Sequence, residues 1–91
     1  MGLKSTTVVL GYQQITGLST VKALTVPVGA TMALVAPDTK DVRWRDDGTN
    51  PTSSVGMPLV VGTTLNYDGD LNKIRFIETE ASAVLNVSYY A

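Results

Sequence analysis

The stretch VRWRDDGTNPTSSVG, residues 42–56, decides how the rest of the chain is read. It holds the only Trp, two of the three Arg, an Asp pair, a Gly and a Pro. In Val42-Arg43-Trp44-Arg45 the side chains alternate, with Val42 and Trp44 on one face and Arg43 and Arg45 on the other. That is the period of a strand with one buried face. Asp46-Asp47-Gly48 then turns the chain, and Gly48 supplies a positive φ at low steric cost. Asn50 is pushed out of the helical region by Pro51, so an extended loop follows. Gly56 and Pro58 bring the chain back to the next strand. The expected unit is strand, tight turn, loop and strand.

The same signature recurs along the chain. Val and Thr dominate, and helix formers in amphipathic spacing are scarce. Strands are expected near residues 6–15, 21–26, 31–36, 42–45, 59–61, 64–67, 73–78 and 83–90. Residues 19–24 carry the only helical doubt, and their β-branched content favours strand. Between these runs lie turn signals such as Thr16-Gly17, Pro37-Asp38, Asp68-Gly69-Asp70 and Glu80-Ala81-Ser82. Short strands with turns every eight to twelve residues or so predict an all-β, small single-domain fold: a β-sandwich, jelly roll or Greek-key barrel. Residues 12–91 form that domain. Residues 1–11, polar and small until Val8, form a possible N-terminal arm.

Alternation also assigns faces. Leu85, Val87 and Tyr89 share the expected core face of the last strand, and Ile74 and Phe76 share another. Trp44, Phe76 and Leu85 are candidates for one central cluster. A lone Trp in an alternating strand packs inward; the competing reading makes Trp44 a platform on which a ligand stacks.

Composition narrows the function classes. The chain has 91 residues, no Cys and no His. Disulfides and thiolate metal sites are excluded, together with the commonest general base. Charged residues make up 16%, below the roughly 25% of an ordinary soluble domain. A small, weakly charged domain without cross-links often gains stability from neighbours in an assembly. The net charge is -1 with no basic block, which argues against nucleic-acid binding. The start of the chain has only a short apolar run, unlike a signal peptide, and no run approaches a membrane helix. The expected site of synthesis is a cytoplasm.

Each candidate chemistry meets a plainer reading. Asp46-Asp47-Gly48 and Asp68-Gly69-Asp70 offer oxygen ligands for Ca²⁺, but neither matches an EF-hand, and turns select the same residues. Paired carboxylates of a glycosidase would face each other across a cleft, whereas these acids cluster at loop tips. Ser53 and Ser54 have no evident activating base nearby. No enzyme, metal or cofactor is expected. Arg43, Arg45 and Arg75 read either as exposed ion pairs or as planar donors at a subunit contact. Tyr89 and Tyr90 divide similarly, with one pointing inward and the other available to cover a partner. The expected partner-binding residues are Arg43, Arg45, Thr49, Asn50, Pro51, Thr52, Ser53, Ser54 and Tyr90.

From Tyr12 to Tyr90 the chain resembles small virion-associated structural proteins of tailed bacteriophages. The resemblance is carried by Gln14-Ile15-Thr16, by Val26-Pro27-Val28-Gly29-Ala30-Thr31 with Ala33-Leu34-Val35, and by Gly69-Asp70-Leu71, Ile74-Arg75-Phe76-Ile77 and Leu85-Asn86-Val87-Ser88-Tyr89-Tyr90. Val42–Thr52 and Val55–Leu59 also match, and the specific part is RWRDDGTNPT, residues 43–52, followed by VGMPL, residues 55–59. The resemblance implies a viral structural subunit located in the virion, without fixing its place on the particle; the first expectation is a capsid decoration (cement) protein that binds and stabilises the shell of major capsid protein. It implies a homo-oligomer, with a trimer favoured, other virion proteins as partners, and no nucleic acid or membrane. A neck-, tail- or fibre-associated subunit is the alternative within that class. A carbohydrate- or small-ligand-binding β module is the alternative outside it.

Overall fold

The computed structural model describes residues 8–91. Eight strands follow in chain order: β1 (Val9–Ile15), β2 (Lys22–Ala23), β3 (Met32–Asp38), β4 (Val42–Arg45), β5 (Met57–Leu59), β6 (Leu65–Tyr67), β7 (Arg75–Glu78) and β8 (Val84–Tyr90). They form two four-stranded sheets, ordered β1-β8-β3-β6 and β2-β7-β4-β5. Every pairing is antiparallel. The pairs β1–β8, β2–β7, β3–β6 and β4–β5 are nested, first strand with last and so inward to the β4–β5 hairpin. The pairs β3–β8 and β4–β7 join them into sheets. The chain is thus one long hairpin rolled into two layers.

Both sheets share one core, as a sandwich requires. Val35, Leu85, Val87 and Tyr89 enter it from one sheet, and Val42 and Phe76 from the other. Alternation does the sorting: β8 reads half-buried and buried in strict turn, with Leu85, Val87 and Tyr89 inward. Burial of a side chain the size of Phe76, which is fully enclosed, contributes about 1.5–3 kcal/mol. Tyr89 is 1% exposed, and its hydroxyl donates to Gln13 Oε1. Among the described residues no polar or charged residue is buried.

The structure adjusts several sequence expectations. Trp44 packs against the core but is half-buried, so Phe76 and Leu85 hold the centre without it. Along the cross-strand row from Phe76 through Trp44 to Met57, exposure rises from nil to 56%. Trp44 meets the Tyr67 ring of the other sheet in a T-shaped contact, at a centroid distance of 5.9 Å. Strand β2 is shorter than the expected 21–26 because the Thr25 backbone N–H donates to Gln13 Oε1 at 3.1 Å rather than to a strand. Strand β5 starts two residues earlier than expected, with Pro58 at its middle. An edge position tolerates the missing N–H. Of the possible arm, residues 1–7 lie outside the described residues. Val8 exchanges backbone hydrogen bonds with Ala91, and β1 begins at Val9.

Candidate functional site

The loop over residues 49–56, which holds the expected partner-binding residues Thr49 to Ser54, leaves the end of β4 and returns to β5. Gly48 has φ 89°, the left-handed turn expected of it. Pro51 is fully enclosed and anchors the loop against the body. The loop then closes on itself: Thr52 N–H donates to Val55 O at 2.8 Å and Val55 N–H to Thr52 O at 3.3 Å. Thr52 Oγ1 also accepts from the N–H of Ser54 at 3.3 Å and of Val55 at 2.9 Å. Ser53 and Ser54 form the exposed tip.

Arg43 holds this tip to β4. Its Nε donates to Ser53 O at 3.2 Å and its Nη1 to Gly56 O at 2.9 Å. The planar guanidinium fork suits two carbonyls presented together. Arg45 makes a two-point contact with Asp47, Nε to Oδ1 at 3.0 Å and Nη2 to Oδ2 at 2.5 Å. Hydrogen bonding to Arg45 lowers the Asp47 carboxyl to about 2 and raises Arg45 in turn. Asp47 Oδ1 also accepts from Thr49 N–H at 3.3 Å, so the carboxylate shapes the turn as well. Arg75 donates to the carbonyls of Asn72 at 2.9 Å and Ile74 at 3.0 Å. All three guanidinium groups therefore have acceptors within their own chain.

The carboxylates follow the same pattern. Tyr67 Oη donates to Asp46 Oδ2 at 2.6 Å, tying β6 of one sheet to the turn after β4 of the other. Asp70 Oδ1 accepts from Asn72 N–H at 3.0 Å. Among the described residues no group of three or more His, Cys, Asp or Glu gathers into a metal-binding cluster. An open cleft of about 240 Å³ lies beside the loop, lined by Arg45, Asp46, Asp47, Val55, Gly56 and Met57.

The structure thus brings together Arg43, Arg45, Thr49, Asn50, Pro51, Thr52, Ser53 and Ser54 at one end of β4. Of these, Arg43, Arg45 and Pro51 are engaged inside the chain, while Thr49, Asn50, Thr52, Ser53 and Ser54 are exposed. Tyr90 is half-buried on β8 of the other sheet and does not join this group. Sequence reading missed the apolar side chains around the loop. Val55 and Met57 are 52% and 56% exposed, and Val60 and Val61 43% and 44%. Their signal was the run VGMPLVVG, residues 55–62, which has more apolar residues than a three-residue edge strand can bury.

The chain matches no protein-family model, no curated protein and no solved structure.

Proposed function

We propose that this chain is a structural protein of a tailed-bacteriophage virion, a capsid decoration subunit that binds the major capsid protein and reinforces the shell. The observation that carries this reading is the exposed apolar band of Val55, Met57, Val60 and Val61 around an edge strand, next to the uncharged tip Ser53-Ser54. Apolar side chains strung along one edge of a small domain mark a contact surface. The neighbouring Arg43, Arg45, Asp46 and Asp47 are bonded within the chain, so a partner can cover this edge with few bare ions to desolvate. The nested strand order supports reading the sandwich as a jelly roll, an architecture common in viral capsid proteins. Many copies on a repeating shell turn weak contacts into firm attachment.

Quantitative gel analysis of purified particles tests the proposal. A copy number comparable with that of the major capsid protein is expected. A few copies per particle would place the chain at the neck or tail instead, and absence from the particle would end the virion reading. Trp44 fluorescence that responds to added sugars would favour the ligand-binding alternative.

A further inference from the structure

We propose that β1 joins two copies of this chain, edge to edge and antiparallel about a twofold axis, so that their β1-β8-β3-β6 sheets become one continuous sheet. The inference comes from comparing the four sheet edges that are unpaired among the described residues, β1 and β6 on one sheet and β2 and β5 on the other. Unpaired edges invite association, and proteins blunt them with short strands, Lys or Pro. Strand β2 has two residues, one of them Lys22. Strand β5 has three, with Pro58 in the middle. Strand β6 also has three. Strand β1 has seven, Val9–Ile15, with neither a charge nor a Pro. Among the described residues only β8 pairs with it. A bulge at Leu10 breaks the register between Val9 and Gly11, which leaves residues 11–15 as the straight part of the edge.

The charge pattern names a second copy as the occupant. A twofold contact brings two copies of any charge on the strand within a few residues of each other across the axis, so an uncharged strand suits it. The outward-facing rows beside β1, Tyr12–Ser88–Leu34 and Gln14–Asn86–Ala36, carry no charge. The corresponding rows of the other sheet carry Arg43, Arg45 and Arg75. The edge side chains are also held in place: Tyr12 Oη donates to Asn86 Oδ1, and Gln14 Nε2 to the same oxygen at 3.3 Å. Pre-ordering of this kind lowers the entropy lost on pairing. Val9 and Tyr12, 67% and 65% exposed, supply the apolar area. The inference is independent of whether the chain sits on a particle.

Sedimentation equilibrium of the purified full chain, over a wide concentration range, is the test. The expected mass is twice that of one chain. Gln14→Lys should raise the dissociation constant by about tenfold or more, with an unchanged circular dichroism spectrum. Met57→Lys, on the opposite sheet, should leave the dimer intact. If Gln14→Lys does not fold, amide hydrogen exchange on the unaltered chain decides: protection of residues 11–15 should rise with concentration. A monomer throughout, a trimer, a dimer unmoved by Gln14→Lys, or exchange at residues 11–15 that is independent of concentration would each overturn the proposal.

Discussion

Thr39 Oγ1 donates a hydrogen bond to Ser82 O at 2.9 Å, and both residues have positive φ, 71° and 72°. They sit in the β3–β4 and β7–β8 turns, which the bond ties side by side. A left-handed conformation is unfavourable for any residue with a Cβ, and more so for a β-branched one. Ser82 contributes only its carbonyl to this bond, which Gly retains. Ser82→Gly should therefore raise stability, by about 1 kcal/mol. Thr39→Gly should gain less, because it also loses the donating hydroxyl. Urea unfolding of both variants checks the order.

Two tyrosines set the alkaline limit of the fold. Burial, followed by the hydrogen bond to Asp46, pushes the Tyr67 hydroxyl up to about 12; burial does the same for Tyr89, also to about 12. Each holds its proton more tightly folded than unfolded, where tyrosine titrates near about 10. The folded state then binds more protons between those values, so stability is fully present below about pH 10 and falls as pH rises towards 12. Melting temperature measured from pH 7 upward should be level and then drop. Tyr67→Phe should lower stability by about 1–2 kcal/mol at neutral pH through loss of the Asp46 bond. The same variant should make the alkaline drop shallower.

Phe76 and Trp44 are cross-strand partners with different environments. Phe76 is fully enclosed, so Phe76→Ala should cost about 3–5 kcal/mol. Trp44 is half-buried, and Trp44→Ala should cost less, about 2 kcal/mol, despite the larger side chain. Denaturant midpoints of the two variants give the ranking. A larger loss at Trp44 would show that its contact with Tyr67 matters more than its burial.

These positions mark what the sequence discloses and what it does not. Strict alternation in β8 was enough to place Leu85, Val87 and Tyr89 inward, because period two is a local property. The same rule assigned the right face to Trp44 but not its depth, which depends on how far the opposite sheet extends. Arg43 likewise alternates outward as expected, but its bonds to Ser53 and Gly56 exist only because the loop folds back over β4. The nested pairing of β1 with β8 and β2 with β7 joins segments too far apart in sequence for any local signal. The eight strands were legible, with shifts at β2 and β5, where a Gln13 side chain and a Pro-tolerant edge replaced ordinary ladder bonds.

The Arg43 clamp gives a prediction about the candidate contact loop itself. Arg43→Lys keeps the charge but cannot present two donors in a fixed fork, so one of the two carbonyls is left unserved. Arg43→Met keeps much of the apolar stem and removes both bonds, at about 1 kcal/mol each. Neither change should disturb the core, since Arg43 lies on the outer face of its sheet. The loss should appear locally, as faster protease cleavage within residues 49–56, fastest in Arg43→Met and intermediate in Arg43→Lys. Gly56→Ala should loosen the same loop by another route. Gly56 has φ 144°, and an added Cβ would lie 3.1 Å from both Pro51 Cβ and Trp44 O. Relief of that contact would pull Pro51 from its enclosed site. If the loop is the surface that meets a partner, these three variants should bind it more weakly in proportion to their cleavage rates, while their circular dichroism spectra stay that of the unaltered chain. Unchanged cleavage in Arg43→Met would show that Pro51 alone holds the loop.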